Sequence, residues 1–125
     1  MEPDLASLAA MLGSTKLAVV VEGSGFDARR RKANRVLGRV DEAVALSELR
    51  AALRCVPGAE RAALMTPGEP SIGLFAAGRV YLGAVTVVGP SRIRSVGLLD
   101  GDAALAEPER LARWLADAVG TDHQT

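Results

Sequence analysis

The sequence predicts an α+β domain of two layers, with N-terminal and C-terminal helices packed on one face of a mainly antiparallel meander sheet. Its 125 residues are enough for one domain with an ordinary hydrophobic core. Apolar residues recur at helical spacing near both ends of the chain. Between them, short strand-like segments follow one another through tight turns, and such turns join only antiparallel neighbours. We expect residues 1–125 to form a single compact domain with a polar tail at 120–125.

The first half of the chain contains two helix candidates and one clear strand. A helix is predicted from Pro3 to Leu12, because proline suits the first helical turn and Gly13 follows as a stop. The apolar run within residues 16–22 predicts a strand buried on both faces. Ser47 is a good N-cap for a short helix that ends near Cys55.

Residues 27–44 allow two interpretations. Asp27 could cap a helix that stops at Gly38, whereas residues 35–40 could form an exposed strand that returns beside the first strand. We favour the helix and keep the strand as the alternative.

The second half of the chain predicts a run of strands and a final helix. The helix begins at Pro108 and ends near Val119, with Trp114 on its apolar stripe and therefore in the core. Arg92 and Arg94 place two charges on one face of the last strand, which is typical of a sheet edge. The predicted strands are Arg61 to Met65, Ile72 to Ala76, Arg79 to Val88 and Arg92 to Leu98.

Five segments carry a resemblance to other proteins: Pro70-Ser71-Ile72, the strand from Val80 to Val88, Ser91-Arg92-Ile93-Arg94, Asp102 to Leu105, and Arg110 to Leu115. Together they resemble the C-terminal half of small uncharacterised proteins from high-GC bacteria. The resemblance covers about half of the chain and implies a shared α+β fold, and it brings no function with it.

Composition excludes several classes of protein. The 15 basic residues balance the 15 acidic ones, and the single cysteine excludes an intrachain disulfide and a zinc site built on cysteines. The N-terminus is acidic where a signal peptide is basic, and no apolar run approaches the ~20 residues of a membrane span. We expect a cytoplasmic protein with no cofactor, no bound metal and no membrane contact.

One basic segment allows an anion-binding site as an alternative. Six cations without an intervening acid lie between residues 28 and 40, after a glycine turn whose backbone amides could hold a phosphate. The zero net charge and the scarcity of aromatic residues argue against nucleic acid, so the main interpretation is a solvated face or pairing with acidic residues of the same chain. The residues of the alternative, a site for phosphate, nucleotide or nucleic acid, are Gly23, Ser24, Gly25, Arg29, Arg30, Arg31 and Lys32, with Arg35 and Arg39 beyond them.

Candidate catalytic groups are poorly placed in the sequence. The only histidine, His123, lies in the polar tail, and Cys55 follows a helical stripe, which favours a small buried hydrophobe. Asp41 and Glu42 are adjacent and point to different sides of an element. The segment Asp100-Gly101-Asp102 lacks the further oxygen ligands of a calcium loop. We expect no catalytic residue and no metal site.

These observations favour a non-enzymatic module that binds another protein, such as an immunity-like or antitoxin-like inhibitor or a regulatory accessory protein. A basic middle and an acidic C-terminal segment would orient a charged partner, and a homodimer through a sheet edge is possible. The predicted partner-binding residues are Arg79, Arg92, Arg94, Asp100 and Asp102.

Overall fold

The computed structural model describes residues 2–23, 35–62 and 67–119, which form three helices and a six-stranded sheet. The helices are α1 (Pro3–Gly13), α2 (Ala43–Ala52) and α3 (Pro108–Ala118). The strands are β1 (Leu17–Val21), β2 (Val36–Val40), β3 (Ser71–Ala76), β4 (Val80–Val88), β5 (Arg92–Arg94) and β6 (Ala103–Ala104). Among the described residues, no helix combines the length and apolarity needed to cross a bilayer.

The sheet is antiparallel throughout, with the strand order β2-β1-β3-β4-β5-β6. Strands β3, β4 and β5 correspond to three strands of the predicted meander, and β6, which was not predicted, pairs with β5. Strand β1 pairs with β3 on one side and with β2 on the other. In the centre, Val20 lies opposite Ile72, which lies opposite Val85. This register places all three side chains on one face, and all three are fully buried.

The helices supply the second layer. Their apolar stripes join the Ile72 face of the sheet in one core cluster, which confirms the predicted two-layer α+β domain. Burial of each large side chain in this cluster contributes about 1.5–3 kcal/mol. The helical members of the cluster are Leu5, Leu8, Leu12, Leu49, Ala52, Leu111, Trp114 and Ala118.

The other face of the sheet carries a polar row. Ser71 lies opposite Thr86, which lies opposite Arg94. The hydroxyl oxygens of Ser71 and Thr86 are 2.9 Å apart, and both side chains are buried. Arg94 continues the row by pairing with Asp102. Buried polar groups on this face are therefore satisfied by one another.

Residues 35–40 correct the interpretation of the middle segment. The favoured helix is wrong here, because Val36–Val40 form β2 beside β1, as in the alternative. Val20 and Gly38 lie opposite each other, so the strand satisfies backbone groups along the outer side of β1. The predicted helix start at Asp27 lies outside the described residues.

Three boundaries also differ from the prediction. Helix α2 begins at Ala43, with Glu42 at its N-cap position, so Ser47 lies inside the helix. Strand β5 ends at Arg94 rather than at Leu98. Strand β6 pairs with the outer side of β5, so the prediction that Arg92 and Arg94 lie on an edge strand is wrong. Of the predicted strand at 61–65, Ala62 forms only an isolated bridge with Asp102, and residues 63–66 lie outside the described part.

Candidate partner-binding edge

Strand β2 forms one edge of the sheet. Its backbone pairs with β1 on one side, and no other described strand pairs with its second side. The opposite edge is β6, which has two residues, whereas β2 has five. Along such a five-residue edge, the side that faces away from β1 has no partner strand among the described residues, and a further strand can add there. Of the two edges, β2 is the better template for strand pairing.

A notch lies beside this edge, between the start of α2 and the end of α3. Its volume is about 440 Å³. Val40 lines it and also belongs to the core cluster, so the notch opens on the helical side of β2. Side chains of a strand added to β2 would alternate between the two faces of the sheet, and every second one would point into the notch. The lining residues are Arg39, Val40, Asp41, Glu42, Val44, Ala45, Glu48, Trp114, Asp117 and Ala118.

Trp114 fixes the position of α2 against α3 at the base of the notch. Its indole Nε1 donates a hydrogen bond of 2.8 Å to the carbonyl oxygen of Ala45, in the first turn of α2. The side chain is 5% exposed and packs in the core, as the sequence predicts. The hydrogen bond satisfies the one polar atom of the ring, so its burial carries no penalty for an unpaired donor.

An ion-pair network joins the same two helices. Arg110 of α3 donates from Nε and Nη2 to the two carboxylate oxygens of Glu48 on α2, and from Nη1 to Glu107 at 3.1 Å. These hydrogen bonds lower the pKa of Glu48 below its usual value and raise the pKa of Arg110. The two helices that form the walls of the notch are thus joined by the Trp114 hydrogen bond and by the ion pairs of Arg110.

The notch is acidic at its rim. Asp41 and Glu42 are exposed immediately before α2, and Asp117 is exposed on the last turns of α3. The positive end of α2 favours the first two carboxylates, which gives them a structural role as well. Glu42 makes no side-chain hydrogen bond to cap the helix. Val44 is 74% exposed at the same place, so the rim combines negative charge with an apolar contact point.

Two of the predicted partner-binding residues, Arg92 and Arg94, contact a third, Asp102. Arg94 donates from Nε and Nη2 to the carboxylate of Asp102 at 2.8 and 3.0 Å. This pair raises the pKa of Arg94 above its usual value. Arg92 donates from Nη1 to the backbone oxygens of Glu60 and Asp102 at 3.1 and 2.9 Å. These hydrogen bonds connect β5 to the segments that contain Glu60 and Asp102.

The other two predicted partner-binding residues lie apart. Asp100 contacts the start of α1, since its backbone N–H donates to Asp4 at 3.0 Å and its carbonyl accepts from Arg61 at 2.8 Å. The Arg61 guanidinium holds the pKa of Asp4 well below its usual value. Arg79 is exposed before β4, at the opposite end of that strand from the turn that leads to Arg92. The five residues therefore form no common surface.

The anion-binding alternative falls mainly outside the described residues. Gly23 has a positive φ of 94°, and its carbonyl oxygen accepts a hydrogen bond of 3.1 Å from the hydroxyl of Ser71. Residues 24–34, which include Ser24, Gly25, Arg29, Arg30, Arg31 and Lys32, are not among those described. The same holds for His123.

Cys55 is a buried free thiol, as predicted. Its side chain is 8% exposed, and burial raises the pKa of the thiol to about 11. A thiol with a raised pKa is a poor nucleophile at neutral pH. Among the described residues, no group of three His, Cys, Asp or Glu side chains is arranged to hold a metal ion.

Comparison with protein-family models, curated proteins and solved structures finds no match for this chain. The resemblance noted in the sequence analysis therefore stays a prediction.

The notch was not predicted from the sequence. Asp41 and Glu42 are exposed, as expected, but the N-cap of α2 is Glu42, five residues before the predicted Ser47, and β2 lies where a helix was favoured. The alternation of Val36, Gly38 and Val40 was the available signal for a strand. Asp117 is brought beside this strand only by the packing of α3, which no local pattern shows.

Proposed function

We propose that this protein is a non-enzymatic module that binds another protein by taking an extended, basic segment of it along β2. The free edge of β2, flanked by the acidic notch, is the observation that carries the proposal. Strand addition gives affinity through main-chain hydrogen bonds, and pockets for alternate side chains give specificity. A module of this kind acts by covering its partner, as immunity-like or antitoxin-like inhibitors and regulatory accessory proteins do.

The chemistry of the partner follows from the notch. A lysine or arginine on the added strand would meet Asp41, Glu42 and Asp117, whose carboxylates lie around one opening. Glu48 is already balanced by Arg110, so it contributes less net charge. The residues between the basic ones would point to the opposite face of the sheet, and β-branched apolar residues such as valine favour the extended conformation there. The expected segment therefore alternates basic and apolar residues.

The test uses two fluorescein-labelled octapeptides, one alternating lysine with valine and the other alternating glutamate with valine, in fluorescence anisotropy at low and at high salt. We expect binding of the basic peptide, weakened by salt, and no comparable binding of the acidic one. Equal affinity for both peptides, or absence of binding to the basic one, contradicts the proposal.

Charge reversals locate the site. Glu42→Lys and Asp117→Lys should each weaken binding of the basic peptide about fivefold to tenfold at low salt, the scale of one exposed ion pair lost and one repulsion gained. The matched control is Glu109→Lys, an exposed acid in the first turn of α3 that does not line the notch. Sedimentation equilibrium on the free protein tests the competing occupant. If the free protein is a dimer and the notch variants dissociate it, the occupant of the β2 edge is a second copy of the chain rather than another protein.

A further inference from the structure

A second cavity lies on the far side of α2 from the notch, between α1 and α2. Its volume is about 470 Å³, within the range of roughly 300–1,000 Å³ that is typical of small-molecule sites. Ala9 on α1 and Ala51 on α2 both line it, and these small side chains leave space between the two helices. We call this cavity the α1–α2 groove.

The groove has an apolar base and a cationic rim. Leu5, Leu8, Leu12, Leu53 and Cys55 form the base, and none of them is more than 8% exposed. The open apolar surface of the groove is therefore small compared with the roughly 800 Å² that each partner of a stable protein interface buries. It fits one slender apolar chain. The rim carries Arg50 and Arg54.

The two rim arginines differ in their partners. Arg54 pairs with Glu107 at 3.3 Å and is 67% exposed. Arg50 makes no ion pair or side-chain hydrogen bond within residues 2–23, 35–62 and 67–119. Its Nη1 atom lies beside Gly13 at the end of α1, 4.0 Å from the point where a side chain at that position would begin. The arginine that has no ion pair among the described residues therefore lies at the Leu12 end of the groove.

Cys55 marks the opposite end. The segment that follows Cys55 contacts the start of α1, because the backbone N–H of Gly58 donates to Glu2 at 3.2 Å. The groove thus runs along α1 from a cation near Gly13 to a buried thiol near the helix start. An apolar chain with one anionic head group matches this arrangement in both shape and charge.

We propose that the α1–α2 groove binds a single-chain aliphatic carboxylate, with the carboxylate at Arg50 and the chain over the leucines toward Cys55. This site is separate from the β2 edge and stands without the protein-binding proposal. Binding tightens with chain length, because each methylene that leaves water strengthens it about threefold to fourfold until the groove is filled.

The first experiment titrates the full chain with hexanoate, octanoate and decanoate by calorimetry, below the concentrations at which they form micelles. Decanol and decyltrimethylammonium serve as neutral and cationic probes of the same chain length. We expect affinity to rise along the carboxylate series and to be lowest for the ammonium. Affinity independent of chain length, or tighter binding of the ammonium, overturns the proposal.

Two pairs of variants place the ligand. Ala9→Trp fills the groove and should abolish decanoate binding, whereas Ala10→Trp, on an exposed position that does not line it, should not. Arg50→Gln should weaken decanoate about tenfold and leave decanol unchanged, with Arg113→Gln as the matched control on α3. Wild-type affinity in A9W contradicts the assignment, provided that its unfolding temperature shows a folded protein.

The single thiol supplies an independent readout. Decanoate should slow the alkylation of Cys55 by iodoacetamide, while hexanoate, held at Arg50 and too short to cover the thiol, should slow it less at equal occupancy. Equal protection by both lengths, or none by either, refutes the placement of the chain toward Cys55.

Discussion

Replacement of Asp102 by asparagine tests whether the Arg94–Asp102 pair holds the sheet or serves a partner. The Asp102 side chain is 3% exposed and accepts two hydrogen bonds from Arg94, at 2.8 and 3.0 Å. Hydrogen bonds to charged groups contribute roughly 1.5–3 kcal/mol, and asparagine keeps one acceptor oxygen. Arg94 is 25% exposed and keeps part of its hydration. We expect D102N to lower the free energy of unfolding by about 2 kcal/mol.

The reciprocal variant should cost more. Arg94→Met removes the guanidinium that pairs with the buried carboxylate of Asp102, and we expect a loss of about 3 kcal/mol. The double variant should be less destabilised than the sum of the two by at least about 1 kcal/mol, because both changes remove the same interaction. Either loss is compatible with a folded domain, whose unfolding free energy is about 5–15 kcal/mol.

Urea unfolding followed by circular dichroism measures these differences. The matched control is Asp100→Asn, an exposed aspartate two residues away, which we expect to change stability by less than about 0.5 kcal/mol. Strictly additive losses, or a D102N variant as stable as the wild type, would refute the structural role of the pair and return Asp102 to the candidates for partner binding.

Three further predictions follow from single side chains. Burial raises the pKa of Cys55 from the usual 9.0 to about 11, so its thiolate fraction at pH 8 should be about 100-fold lower than that of a free thiol. Alkylation rates at pH 8 and 10 measure this difference. A native protein that is alkylated as fast as an unhindered thiol would contradict the raised pKa. Asp4 and Glu48 have lowered pKa values in the folded state, so their stabilising effect is present above the usual carboxyl range and is lost as pH falls below it. The double variant D4N/E48Q should therefore lose less stability than the wild type between pH 6 and pH 3 in urea titrations, and parallel losses would show that these carboxylates do not contribute. Trp114→Phe removes the donor to Ala45 and leaves a small cavity, for an expected loss of about 2–3 kcal/mol in urea unfolding, and a loss below about 0.5 kcal/mol would refute its anchoring role.

Local patterns were sufficient to predict most of the fold. The helix starts at Pro3 and Pro108 and the apolar strand Val80–Val88 each follow from signals within a few residues of the element. The tight turns between β3, β4 and β5 allowed only antiparallel pairing, which fixed half of the sheet order.

The other half depends on contacts between distant segments. Whether residues 36–40 form a helix or a strand is decided by the pairing with β1, because the segment carries weak signals for both. Strand β5 was predicted to be an edge strand, but it pairs with the two-residue strand β6. Its arginines, Arg92 and Arg94, therefore donate hydrogen bonds to Asp102. Charges can be identified in a sequence, but their partners are set by register.

The candidate site was less predictable for the same reason. Asp41 and Glu42 are visible as neighbouring acids, but Asp117 lies far along the chain and reaches the notch through the packing of α3 against β2 and α2. The predicted surface around Arg92 and Arg94 rested on an edge that β6 occupies.

The central claim is that β2 and its acidic notch receive an extended basic segment, and an amide map of the ¹⁵N-labelled protein tests it most directly. Titration with the lysine–valine octapeptide should shift the amides of residues 36–45 and 114–119, and hydrogen exchange should slow on the outer side of β2 as new main-chain hydrogen bonds form. Shifts centred on the α1–α2 groove or on β6, with β2 exchange unchanged while the peptide is bound, would contradict the claim.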